Sequence, residues 1–127
     1  MSEPRSPESR YAPFTLEDAL HTEWRDVRLK FSDWDWLEAT HGSDTFDGYY
    51  LNGYGVQGLV KAVLLTNGID PNDPDIKNYN SEGDTCYIHF RTMDAALRAA
   101  ELSARMIRDR QAILDMVVVA REHGFED

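Results

Sequence analysis

Val27, Leu29 and Phe31 alternate with Arg28 and Lys30. This period-two pattern predicts a strand over 27–31 with one buried face and its charges turned to solvent. Thr85 to Phe90, TCYIHF, is rich in β-branched and aromatic residues and predicts a second strand. Its Cys86, Ile88 and Phe90 share one face, and Tyr87, His89 and Arg91 share the other. Between the two strands the period changes. Val56, Leu59, Val60, Val63 and Leu64 fall at i, i+3, i+4, i+7 and i+8, one face of an amphipathic helix over 56–66, closed by Asn67-Gly68. From Thr92 to His123 the spacing is helical again. Leu97, Ala100, Ala104 and Ile107 form one stripe, and Ile113, Leu114, Val117 and Val118 form a second, displaced one. The displacement predicts two helices, or a bend near Asp109 to Gln111, with Gly124 capping the end.

The remaining segments are less regular. Residues 1–13 are polar and hold three of the five prolines, so a disordered lead-in is expected, with the fold starting near Phe14. Thr15 with Asp18 resembles a capping box that would open a helix through LEDALHTEW, while Phe14 to Leu16 also suits a short strand. Trp34 and Trp36 alternate with Asp33 and Asp35, which suits a continuing edge strand, or equally a short helix capped by Ser32. DPNDPD forbids regular structure. The pattern as a whole predicts one α+β domain over 14–127. In it a small antiparallel sheet, including 27–31 and 85–90, packs against two or three helices, including 56–66 and 93–123. A chain of 127 residues can bury enough surface to fold as one unit, and no 20–50-residue repeat suggests a solenoid.

Charge changes the picture most. There are 23 acidic against 13 basic residues, a formal net charge of -10. Nucleic-acid binding needs clustered Lys and Arg, so it is not expected; a basic partner is. Cys86 is the single cysteine, which excludes an internal disulfide framework and suits a small core residue. No apolar stretch has the length of a membrane span and the opening lacks the apolar core of a signal peptide, so no membrane role and a cytoplasmic location are expected.

GYGVQG, residues 53–58, matches the G-x-G-x-x-G of dinucleotide-binding loops. The context fails, because TNGI leaves no room for a second strand before Asp70, and Asp73 and Asp75 would repel a pyrophosphate. Gly53 and Gly55 are instead expected to form a tight loop with positive φ before the helix, and Gly58 to allow close packing in its first turn. A small nucleotide-binding enzyme using Gly53, Gly55 and Gly58 stays as an alternative, as does an acidic adaptor. DPNDPD lacks calcium-loop spacing. Cys86 and His89 point to opposite faces of their strand, and His21, His41 and His123 lack ligand spacing. No catalytic residue, metal or cofactor is expected, and the chain reads as a non-enzyme. The acids cluster in two loop-like segments, 33–47 and 70–84. The first is interleaved with aromatics, the composition of a protein-binding surface in which acids steer and rings anchor. Candidate contact residues are Asp33, Trp34, Asp35, Glu38, Asp44, Asp47, Tyr49 and Tyr54, while Trp36 and Tyr50 are expected in the core.

Asn52-Gly53-Tyr54 leading into GVQGLVKAVL, then Ser81-Glu82-Gly83 leading into TCYIHF and a helix from Met93, resembles the immunity protein 51 family of bacterial polymorphic toxin systems. The resemblance covers roughly residues 47–105. Where that family often carries a Trp two residues after the Tyr, this chain has Val56, so no role of that Trp carries over. The resemblance implies a small α+β immunity protein that binds and neutralises a cognate toxin domain delivered by neighbouring cells. Together with the charge, it suggests a basic toxin, such as a nuclease.

Overall fold

The computed structural model describes Arg10 to Phe125; residues 1–9, most of the expected lead-in, lie outside the described residues. The end of that segment is folded. Tyr11 is 6% exposed and belongs to the core, Phe14 N donates to Tyr11 O at 2.8 Å, and Arg108 Nε donates to Ala12 O at 2.8 Å. Packed structure therefore begins before Phe14.

Strand β1 is Thr15–Ala19. The strand alternative for this segment holds and runs longer than Phe14 to Leu16, because it pairs antiparallel along β2, Asp26–Phe31. Asp18 opens no helix; its Oδ1 accepts from Leu20 N and shapes the turn that leaves β1. The next element, α1, is Trp34–His41, capped by Asp33, whose side chain accepts from Trp36 N, and closed by Gly42 at φ 71. The helix alternative for SDWDW is thus the one adopted, starting one residue later than a Ser32 cap would give. It also makes much of 33–47 helical rather than loop-like.

Thr45–Phe46 (β3) and Tyr49–Tyr50 (β4) form a small hairpin. Asp47 at φ 52 and Gly48 at φ 79 make its turn, the Asp-Gly arrangement that matches the twist of a two-residue hairpin. Helix α2 is Gly53–Thr66, opened by Asn52, whose side chain accepts from Gly55 N. Beyond α2, Ile69 N donates to Leu64 O and Gly68 N to Leu65 O, with Gly68 at φ 78, a Schellman-type end. Strand β5, Ile76–Tyr79, has no counterpart in the hydrophobic pattern. It is an edge strand whose register slips between Ile76 and Asn78, which breaks the alternation. Strand β6 is Cys86–Phe90, helix α3 is Met93–Arg108 and helix α4 is Arg110–Glu122, with Asp109 ending one and capping the other.

The main sheet is antiparallel in the order β1-β2-β6-β5, so the two strands with the clearest sequence signals lie at its centre. Val27, Leu29, Phe31, Cys86, Ile88 and Phe90 are 0–1% exposed and form its covered face, against which α2 and α3 pack while α4 packs on both helices. Helix α3 turns Ala96, Ala99, Ala100, Ser103, Ala104 and Ile107 inward, and its alanines and serine let it approach the sheet closely. Leu97 lies at the flank rather than in the stripe. In α4 the buried positions are Ile113, Val117 and Ala120, which leaves Val118 53% exposed. Helix α2 is buried on nearly all sides, because it is enclosed by β6, α3 and α4. Among the described residues no helix is long and apolar enough to cross a membrane.

Candidate functional site

Trp34, Glu38, Asp44, Tyr50, Asn52 and Asp84 border a groove of about 220 Å³. It is assembled from α1, the β3–β4 hairpin, the entry to α2 and the turn before β6. Here Asp84, from the end of the second acidic stretch, meets the first.

Each wall is fixed by local chemistry. Asp33 uses its carboxylate to cap α1, which sets Trp34 and Glu38 one turn apart on the same side of the helix. Trp34 Nε1 donates to Asp84 O at 2.9 Å, and its ring meets Phe31 edge-on with centroids 5.1 Å apart. One end of that indole is therefore anchored in the core and the other ties α1 to the opposite wall. Asp44 is held by its own segment: its carbonyl accepts from Leu51 N at 2.8 Å, and Thr45 Oγ1 donates to its carboxylate at 3.0 Å. The far wall is set by Gly53 N donating to Gly83 O and by the Glu82–Thr85 bridge. Tyr50 stands 57% exposed at the rim. Among the described residues no Lys or Arg lines the groove. Carboxylates around flat aromatic surfaces in a concave site focus negative potential and suit a guanidinium or ammonium, which also gains from lying over a ring.

Of the eight candidate contact residues, Trp34, Glu38 and Asp44 are brought together here. Asp33 is exposed but committed to its cap, and Asp35 is exposed in the first turn of α1. Asp47 forms the hairpin turn, where Arg121 Nη1 lies 3.5 Å from its carboxylate and Arg121 Nη2 donates to its carbonyl. Tyr54 is 43% exposed on α2 and outside the groove lining. Tyr49 requires correction: it is 3% exposed, with its hydroxyl donating to Gly55 O at 2.7 Å, so it offers a partner no surface. Tyr50 requires the opposite correction, from core to rim. The Asp47-Gly48 pair signals the hairpin, and along its second strand the consecutive tyrosines point to opposite faces. Trp36 is half-buried and packs against the core, as expected. Asp84 was legible only as one acid among many. Of the other acids in its segment, Asp73 and Asp75 border a separate hollow of about 440 Å³ between the end of α2 and the start of α3.

The glycines do not form a positive-φ loop. Gly53, Gly55 and Gly58 are helical residues of α2, and the glycines with positive φ are Gly42, Gly48, Gly68 and Gly124. What the three require is space. A Cβ at Gly53 would collide with the carbonyls of Glu82 and Thr85, one at Gly55 with the carbonyl of Tyr50, and one at Gly58 with the carbonyl of Phe125 and the Tyr49 hydroxyl. The close approach these glycines allow is to the protein's own carbonyls, and the amides of Gly53 and Gly55 already donate to Gly83 O and Asn52 Oδ1.

Cys86 is fully buried, and burial pushes its thiol up to about 12, far from a reactive thiolate. His41 Nε2 lies 2.7 Å from Ile107 O, binding the end of α1 to α3. Among the described residues no group of three or more His, Cys, Asp or Glu is placed to hold a metal ion. Comparison with protein-family models, with characterised proteins and with solved structures finds no significant match.

Proposed function

We infer that the protein is an immunity protein, a stoichiometric inhibitor that protects its producer by binding a cognate toxin domain in the cytoplasm. The observation that carries this reading is the meeting of Glu38, Asp44 and Asp84 around Trp34 and Tyr50, in a chain of net charge -10. A basic segment of the toxin enters this groove. Its cationic side chains are held by the carboxylates, its aliphatic stems lie on the two rings, and the bulk of the inhibitor covers the toxin's active site. A nuclease is the natural target, because its own basic surface already attracts negative charge. The Asn52-Gly53-Tyr54 motif supports the reading indirectly: Asn52 lines the groove and also caps α2.

The test is co-expression with the toxin domain at the carboxyl end of a large secreted protein encoded next to this gene. Cells carrying the intact chain should survive, and the two purified proteins should form a 1:1 complex. An E38K/D44K variant should remain folded, since Glu38 is exposed and Asp44 half-exposed, and should bind at least about tenfold more weakly. A neighbouring toxin domain that is acidic, or binding unchanged by the double reversal, would remove the basis for this assignment.

A further inference from the structure

The face of the sheet turned away from α2 and α3 carries a second polar site that shares no residue with the acidic groove. Its centre is Asp26, 1% exposed. His89 Nδ1 lies 3.0 Å from Asp26 Oδ2, Arg28 Nε 3.1 Å from Oδ1 and Lys77 Nζ 3.4 Å from Oδ2. Three basic side chains therefore converge on one buried carboxylate. The other acid nearby is Glu17, 61% exposed, with Oε2 4.0 Å from Arg28 Nη1. Lys30 lies on the same face of β2, one pleat beyond Arg28 and opposite Tyr87.

Donors outnumber acceptors in this cluster. Arg28 uses Nε on Asp26 and Nη1 on the Tyr87 hydroxyl, which leaves Nη2 without a hydrogen bond among the described residues. Lys77 donates to Asp26 and to Trp24 O and keeps a further proton. His89 is 9% exposed, and its Nε2, fully buried, has no hydrogen-bond partner among the described residues. A buried ring nitrogen without a partner is costly unless something meets it. These groups border a cavity of about 470 Å³ whose other walls include Trp24, Asn78 and Tyr87. Trp24 is 56% exposed, with the Arg28 guanidinium 5.6 Å from its ring centre. The Tyr87 ring lies 4.9 Å from that of His89.

We propose that this cavity binds a small ring-bearing oxyanion, a carboxylate or phosphate monoester, with the anion on Arg28 and Lys77, beside His89, and the ring against Trp24. The bound anion takes the donors that Arg28 and Lys77 leave over, and Lys30 on the same face adds a positive charge that Asp26 and Glu17 do not balance. Asn78 supplies an amide from β5. The flat aromatic wall selects a ring over a bare anion.

Benzoate and phenyl phosphate are the probes, with acetate and inorganic phosphate as ring-free controls. Each is titrated into the whole protein while Trp fluorescence and the ring 15N signals of His89 are followed. A saturable change with benzoate or phenyl phosphate is expected. The tighter of the two identifies the oxyanion, and both controls should bind at least about tenfold more weakly. Lys77→Met removes a cation from an exposed position on an edge strand and should weaken binding about tenfold without altering the fold; Arg28→Ala should do more. If Arg28→Ala fails to fold, Lys77→Met decides. No saturable change with either ring-bearing probe in the millimolar range, or an unchanged dissociation constant in Lys77→Met, overturns the proposal.

Discussion

Asp26 is where one residue carries the largest share of electrostatic consequence. Burial raises the pKa of a carboxyl group, yet hydrogen bonds from His89, Arg28 and Lys77 outweigh that effect and hold Asp26 below its usual value. The folded state thus binds the proton more weakly than the unfolded chain. The stability this contributes is present above the ordinary aspartate range near pH 4 and is lost as pH falls below it through the folded value. Asp26→Asn should cost about 2–4 kcal/mol at pH 7, because three donors lose a charged acceptor in a nearly dry site. Urea unfolding followed by Trp fluorescence should then show the difference between variant and parent narrowing as pH drops from 6 to 3. A constant difference would mean that packing, not charge, is what Asn disturbs. Cys86 makes a second prediction at this scale. With a buried thiol raised to about 12, native protein should react with a thiol reagent such as DTNB only as fast as it opens, and labelling should accelerate in step with unfolding by urea. Rapid labelling of the folded protein would place the thiol elsewhere than under α2 and α3.

At the scale of the element, α2 shows how the same letters can mean different things. Gly→Ala inside a helix ordinarily stabilises by about 0.5–1 kcal/mol. At Gly55 and Gly58 the added methyl meets a backbone carbonyl, which cannot rotate away, so the steric cost dominates. Each substitution should destabilise by about 2 kcal/mol or more, whereas Gly83→Ala, with open space where its Cβ would stand, should change little. Thermal unfolding of the three variants checks the order, and a stabilising Gly55→Ala would show that α2 has room to shift. The central strands, α2 and the break at Asp109 were legible because each is set by a local hydrophobic period or a cap. Strand β5 was not, since its four residues alternate poorly and are held by pairing with β6, by Tyr79 donating to Pro71 O at 2.6 Å, and by Lys61 lying 4.4 Å from the Tyr79 ring centre. The groove was half legible. Trp34, Glu38 and Asp44 stand in one acidic, aromatic segment, but Asp84 reaches them through a contact that spans 50 residues, and Tyr50 emerges only once the Asp47-Gly48 turn is read. The cluster at Asp26 escaped because its members are scattered over β2, β5 and β6, and only the register of the sheet unites them.

For the whole molecule, the distribution of charge matters more than its sum. Acids face outward from α1, from the turn before β6 and from the loop that holds Asp70, Asp73 and Asp75, whereas Arg28 and Lys77 are gathered around Asp26 on the uncovered sheet face. An approaching basic protein is therefore drawn toward the acidic faces, the groove among them, and little toward the sheet face. This is the arrangement that accelerates encounter without requiring that the final contacts be strong. If the proposed immunity function is right, the association rate with the toxin domain should fall by about tenfold or more between low and high salt, as the Debye length shrinks from about 30 Å at 0.01 M to about 3 Å at 1 M. The dissociation rate should change far less, because the contacts made by Trp34 and Tyr50 are shielded from ions once formed. The two rates can be separated by stopped-flow mixing and displacement. E38K/D44K should flatten the salt dependence of association while leaving that of dissociation nearly as it was, and Trp34→Ala should do the reverse, raising the dissociation rate without altering the slope of association against salt. An association rate that ignores salt in the intact protein would sink electrostatic steering. A double reversal that left the slope unchanged would show that the toxin approaches a face other than the groove.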